Sequence, residues 1–236
     1  MSTQKYNTLD PDLFMKYAHH MLESRIINAV TTRVNKPNLS ICDVGGANGI
    51  ISNAIILKSP FKIRANVLDV FTKYKDQLVN NGIHFIRGSI IKNKFKDNSF
   101  DFVIFRDVMH HIIVGGTKET QKNQVKAFEE MIRITKKGGF IIFEEEINNS
   151  TLSSRILFYL SKIANRINVQ VANINIGKVV VSFMSKKEIE EILDKYPNEI
   201  KVLKRQFIRW NFSFLWKSTM LMNKFYRAFY VIQKIG

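Results

Sequence analysis

Three groups of residues in this sequence have types and spacings that can do chemistry. The first is Asp43-Val44-Gly45-Gly46-Ala47-Asn48-Gly49, a glycine-rich turn directly after an apolar run. Glycines at such a turn let a ligand touch backbone, and open α/β sheets bind nucleotides at the carboxyl ends of their strands. A dinucleotide fingerprint would need glycine at Ala47 and Ile50, and a phosphate-cradling loop would need a following Gly-Lys-Ser/Thr; neither is present. Asp43 repels a diphosphate and attracts an amino-bearing or sulfonium ligand, so the loop suits a cationic nucleoside. The second is Asp69, 20 residues after Gly49 in Val67-Leu68-Asp69-Val70, where a carboxylate can accept both hydroxyls of a ribose. The third is the pair His110-His111, whose imidazoles, with an ordinary pKa near 6.5, can take a proton from a hydroxyl or an amine.

The elements that hold these groups are legible from periodicity. Leu39 to Val44, Arg64 to Val70, His84 to Arg87, Phe100 to Phe105 and Phe140 to Phe143 are apolar, strand-like runs. Between them lie helical stretches at Ile50 to Ile56 and Val125 to Ile134, with a longer one at Leu13 to Val34 before the first strand. Strands alternating with helices imply a parallel sheet covered on both faces. Gly138-Gly139 punctuates the approach to the fifth strand, and Glu144, Glu145 and Glu146 are expected to end it. Such an acidic cluster has three readings: it binds a cationic acceptor, orients a histidine or forms a solvated turn. Beyond it, Leu152 to Ile167 has the spacing of an amphipathic basic helix, and Ser185 to Glu188 has the signature of a capping box opening a helix over Lys186 to Leu193. Two closing β-runs, Ile200 to Trp210 and Phe225 to Ile235, flank an aromatic connection with Phe212, Phe214 and Trp216.

In this order the motifs resemble the class I S-adenosylmethionine-dependent methyltransferases, within them the small-molecule group with a Val-Leu-His-His type segment after the fourth strand. The resemblance rests on residues 43–49, Asp69-Val70, Asp97 to Val103, Val108-Met109-His110-His111-Ile112 and Lys137 to Phe140, and covers roughly residues 38 to 146 closely. It implies a Rossmann-like α/β fold, a mainly parallel seven-stranded sheet with helices on both faces and an antiparallel closing hairpin. It divides one domain into an N-terminal helical lid (1–37), a cofactor-binding core (38–146), a substrate-facing helical insertion (147–183) and a closing helix and hairpin (184–236). It also implies S-adenosylmethionine as cofactor. Asp43, Gly45, Gly46 and Gly49 would hold the methionine portion, Asp69 the ribose, and Val70 a face of the adenine. Ser89 and Ile90 would meet the adenine edge, and Arg106 would offer its backbone carbonyl to the cofactor's amino group. Two positions depart from the family pattern: Ala47 replaces the middle glycine, and Ser89 stands where an aspartate is common. His110 takes the position of a catalytic histidine in similar O-methyltransferases; the alternative is that His110 and His111 only line the pocket. Arg106 has a plainer reading as well, a side chain paired with Asp107 or Glu145.

Composition limits what else the protein does. The chain has 236 residues with 45% hydrophobic and 24% charged side chains, an ordinary globular balance for one domain. The single cysteine, Cys42, lies inside the first strand and reads as a core residue, and no His/Cys cluster has metal-ligand spacing. No apolar run reaches the length of a membrane span and the start MSTQKYNTLDPD lacks signal-peptide character, so the expected compartment is the cytoplasm. The 36 basic against 20 acidic residues give +16, and no acidic residue follows Glu199. A field of this sign attracts nucleic acid, anionic lipid or acidic small molecules alike. The expected partner is a small-molecule acceptor, hydrophobic or anionic. The alternatives are RNA, read by the basic and aromatic residues of the last third, a membrane lipid or quinone reached through the basic stretch Ser154 to Asn168, and a cofactor-binding protein that does not methylate. For Ser154 to Asn168 the competing reading is a helix capping the substrate pocket. His19 and His20 read as lid or surface residues. Oligomeric state is not legible.

Overall fold

The computed structural model describes residues 25–167, 179–211 and 224–236. The elements run α1 (Arg25–Thr31), β1 (Leu39–Val44), α2 (Ile50–Lys58), β2 (Ile63–Asp69), β3 (Ile83–Arg87), β4 (Phe100–Arg106), α3 (Thr117–Ile134), β5 (Thr135–Asn148), α4 (Thr151–Arg166), α5 (Lys186–Leu193), β6 (Ile200–Arg209) and β7 (Phe225–Lys234). One seven-stranded sheet has the order β3-β2-β1-β4-β5-β7-β6. β1 to β5 are mutually parallel, and β7 inserts antiparallel between β5 and β6. β1, an interior strand, has all six residues buried, as a parallel strand covered on both faces must.

The two faces carry separate cores. On one, Phe105, Phe128, Met131, Phe143, Ile189 and Tyr230 pack together; on the other, Ile26, Val30, Ile41, Ile55, Ile104 and Phe229 do. Cys42 is fully buried and burial pushes its thiol pKa well up, so it is an inert core residue. The capping box of α5 is formed: Ser185 Oγ accepts from Glu188 N at 3.2 Å while Ser185 N donates to Glu188 Oε2 at 2.6 Å.

Several boundaries differ from expectation. α3 starts eight residues before Val125, because Glu119 accepts from Gly116 N at 3.2 Å and closes the N-terminus of a first half whose outward face is polar. β5 starts before Gly138-Gly139 and continues past the glutamates to Asn148. Gly138 sits at φ 78°, beside a register shift in the β4–β5 pairing, so the glycines accommodate an irregularity instead of ending an element. Antiparallel pairing with β7 extends the strand, placing Glu144, Glu145 and Glu146 opposite Phe229, Ala228 and Arg227, within the sheet and not at its end. Of the expected helix Leu13 to Val34 only the part from Arg25 lies among the described residues. His19, His20, Phe212, Phe214, Trp216 and most of the second half of the insertion lie outside them. The described aromatics of the basic-aromatic run divide: Phe207 packs against the core, and Trp210 stays exposed after β6.

Candidate functional site

β1, β2, β4 and β5 all deliver their carboxyl ends to one edge of the sheet, and the expected site residues gather there. The glycine turn is drawn onto the neighbouring strand by Gly45 N donating to Leu68 O at 2.7 Å and Ala47 N donating to Asp69 Oδ2 at 3.1 Å. Asp69 Oδ1 also accepts from Phe71 N at 2.9 Å, so this carboxylate braces both the loop and the end of β2. Beside it Val70 is 50% exposed, an apolar side chain offered to a ligand's flat face at the strand end. Gly45 and Gly49 adopt φ 68° and 76°, and Ala47 adopts φ 48°, a left-handed conformation that costs a non-glycine residue about 1 to 2 kcal/mol. The replacement of glycine at Ala47 is therefore carried as backbone strain in the cofactor loop.

Asp43 lies under this loop, 2% exposed, with Oδ2 accepting from Ser52 Oγ at 2.8 Å. Burial raises its pKa from 3.8 to about 6, the nearby Asp69 adds to the rise, and Ser52 and Arg106 oppose it. A carboxyl raised in the fold favours folding fully below pH 3.8, and that advantage is lost as pH rises through about 6. The rise is worth about 3 kcal/mol. Denaturant titrations of the wild type and Asp43→Asn should therefore diverge between pH 4 and 7, the variant gaining about that amount. An unchanged difference would mean that Asp43 is solvated.

The turn after β4 closes over the glycine loop. A Cβ on Gly45 would stand 2.3 Å from Val108 Cγ2, so Val108 covers that glycine and brings Met109-His110-His111 beside the loop. His110 is buried, its Nδ1 hydrogen-bonded to Glu145 Oε1. Glu145 is itself fixed: Oε2 accepts from Met109 N at 2.6 Å and Oε1 from Glu146 N at 2.8 Å. Burial alone would depress the imidazole pKa, but the charge and hydrogen bond of Glu145, with Glu146 and Asp107, raise it to about 9. His111 lies with its ring 4.0 Å from that of His110. Burial and the neighbouring His110 charge hold it well below 6.5, and its Nδ1 has no hydrogen-bond partner among the described residues. The pair thus divides into a carboxylate-bound, proton-holding His110 and a neutral His111.

A polar network flanks the dyad. Arg227 Nη1 meets Glu144 Oε1 at 2.9 Å and Asp107 Oδ2 at 3.1 Å, and Arg25 Nη2 of α1 meets Glu144 Oε2 at 3.2 Å. The Arg106 side chain contacts Asp107 and Glu144, the latter in place of the expected Glu145. Ile90 packs into the core, leaving only its backbone to reach a ligand, whereas Ser89 is half-buried at the end of β3. Two further positioning residues escape sequence reasoning. Gln124 on α3 donates to Met109 O at 3.0 Å and Ser182 O at 2.9 Å, tying the histidine turn to residues 180–183, from which Phe183 stacks on His110 at 5.2 Å. The available signal was Thr120 and Gln124, polar residues four apart on the apolar stripe of α3.

These residues fit a cationic nucleoside cofactor. A Cβ on Gly46 would lie 2.6 Å from Asp43 Cγ, so the loop keeps backbone bare above a carboxylate, and Arg106 Nη1 and Asp107 Oδ1 are buried without hydrogen-bond partners among the described residues. Among the described residues no group of His, Cys, Asp and Glu is placed to hold a metal ion.

Comparison with known proteins agrees with this reading. A family model described as a methyltransferase domain matches residues 43–143. Among solved structures, a SAM-dependent methyltransferase from Methanosarcina mazei superposes with TM-score 0.61 at 14% identity, covering 87% of this chain and 97% of that one. A geranyl diphosphate methyltransferase in complex with SAM gives 0.62 at 9% identity, covering 91% and 86%, and the [4+2]-cyclase SpnF gives 0.58 at 11%, covering 89% and 80%. At these identities the likeness is one of fold. No curated protein sequence matches.

Proposed function

We propose that this protein, whose residues 43–143 match a family model described as a methyltransferase domain, is an S-adenosylmethionine-dependent methyltransferase that methylates a small, hydrophobic or anionic acceptor, and that His110 takes the acceptor's proton. The observation that carries the reading is the His110–Glu145 dyad, buried at the carboxyl end of β4 and joined to the glycine loop through Val108.

In this reading Asp43, Gly45, Gly46 and Gly49 hold the methionine portion of the cofactor and Asp69 the ribose. Val70 packs on the adenine, Ser89 and the Ile90 backbone meet the adenine edge, and the Arg106 carbonyl accepts a hydrogen bond from the cofactor's amino group. When bound, S-adenosylmethionine supplies an electrophilic methyl carbon on a sulfonium. The protein's own work is positioning and proton management. Glu145 holds Nδ1 of His110, so Nε2 is the ring atom left to accept a proton from a hydroxyl or amine, and the carboxylate offsets the resulting imidazolium charge. His111, neutral, completes the wall. The net +10 of residues 151–236, 15 basic against 5 acidic, supports an anionic acceptor.

The testing experiment is calorimetric titration with S-adenosylmethionine and S-adenosylhomocysteine, with NAD as control, followed by measurement of S-adenosylhomocysteine release in the presence of acceptor candidates. The expected outcome is micromolar binding of both sulfur ligands, no heat with NAD, and release that depends on acceptor. Binding without release for any acceptor would favour a protein that uses the cofactor without methylating.

A further inference from the structure

Helix α4, Thr151–Arg166, is amphipathic twice over. Ser153, Leu157, Phe158, Ser161 and Ala164 are buried against the rest of the molecule. On the far side Leu152 (61% exposed), Tyr159 (53%), Ile163 (57%) and the following Ile167 (61%) form a second apolar stripe, at i, i+7, i+11 and i+15. Leu160 widens it. A water-facing helix surface carries polar side chains here, and a row of half-exposed aliphatic ones calls for a cover. Along one edge of the stripe, at i, i+7 and i+11, run Arg155, Lys162 and Arg166. None has an ion pair among the described residues, and the helix contains no Asp or Glu.

From this arrangement we infer that α4 is a docking surface for an anionic phospholipid membrane, lying in the headgroup plane with Leu152, Tyr159, Ile163 and Ile167 inserted and Arg155 and Arg166 at the phosphates. Charge complementarity selects this occupant. An apolar stripe edged only by cations, in a chain of net +16 and on the part of it that carries most of the excess, matches a surface that is apolar beneath and negative above. A hydrophobic small molecule would use the stripe without requiring the cations, and a second copy would set the same arginines against one another across a two-fold axis. The helix is also anchored to the catalytic edge: Lys162 Nζ donates to Gly115 O at 3.0 Å, just beyond the histidine turn, and Val181 N donates to Ser161 Oγ at 3.2 Å, two residues before Phe183. Docking α4 therefore brings that edge to the lipid surface. The inference stands on the surface alone and does not require the methylation reading.

Sedimentation with sucrose-loaded vesicles tests it, using phosphatidylcholine alone or with one third phosphatidylglycerol. The full chain is expected to bind the mixed vesicles at least about tenfold more tightly, with affinity falling as salt rises. Leu152→Glu/Ile163→Glu should abolish retention, and Arg155→Glu/Arg166→Glu should lower it at least about tenfold on mixed vesicles only. Circular dichroism and S-adenosylhomocysteine binding should stay those of wild type in both. The arginine pair is exposed, so it keeps the test decisive if the apolar pair fails to fold. The inference is overturned by absence of binding to mixed vesicles, or by retention that neither double variant changes. It is equally overturned if light scattering shows a dimer that the apolar variant dissociates, or if RNA retention is what the arginine variant removes.

Discussion

His110→Ala is expected to lower kcat by about 10²- to 10⁴-fold, the usual worth of a positioned base, while cofactor affinity stays near wild type. The sharper signature is in pH. With the imidazole raised to about 9, about one molecule in a hundred holds His110 deprotonated at pH 7. The wild-type kcat/KM should therefore climb roughly tenfold per pH unit until it levels near pH 9. Glu145→Gln removes the charge that outweighs burial, and the same burial then drives the imidazole below 6.5. Its profile should level at least two pH units earlier, with a lower plateau, because an imidazolium without its carboxylate is poorly stabilised in a buried site. Initial rates of S-adenosylhomocysteine formation from pH 6 to 10 read both effects. A flat wild-type profile, with unchanged kcat in His110→Ala, would leave the pair as pocket wall.

The parts of this site that were legible in the sequence are those set by local geometry. A strand that ends in Asp43 and turns on three glycines is specified within seven residues, and the spacing to Asp69 follows from one βαβ passage, so the gathering of the two at one edge was readable along with the parallel run of the strands. The capping box at Ser185 was readable because both partners are three residues apart. What was not readable is set by pairing across long separations. Nothing near Glu144, Glu145 and Glu146 says that β7, some 80 residues later, extends their strand and turns a supposed turn into the wall of the site. The pairing of Glu144 with Arg227 follows from that register, and those of Glu145 with His110 and of Glu144 with Arg106 follow from the β4–β5 pairing. The same holds for α4: sequence gives its basic amphipathic character, but only packing tells which of its two apolar faces is spent on the core.

Gly46→Ala is expected to reduce affinity for S-adenosylhomocysteine by about 5- to 150-fold. The added Cβ would fall 2.6 Å from Asp43 Cγ and 2.7 Å from its Oδ2, well inside contact distance. A solvated carboxylate would rotate away at little cost. Asp43 is walled in by the core and held by Ser52, so either the loop lifts off the strand end or the carboxylate abandons its partner. Overpacking of this kind costs about 1 to 3 kcal/mol, which is the stated affinity range if it falls on the ligand-bound loop. Gly116→Ala is the matched control: its Cβ would meet nothing within 4 Å, and its φ of −95° suits any residue, so binding should remain as in wild type. Calorimetric titration of the two variants separates the outcomes. Equal affinities would mean that the loop above Asp43 is soft enough to take a methyl group, and that the bare backbone at Gly46 is not what the ligand needs. Loss confined to Gly46→Ala, and relieved when Ser52→Ala frees the carboxylate to move, would identify the Asp43–Gly46 contact as the element that sets how closely the cofactor approaches the strand end.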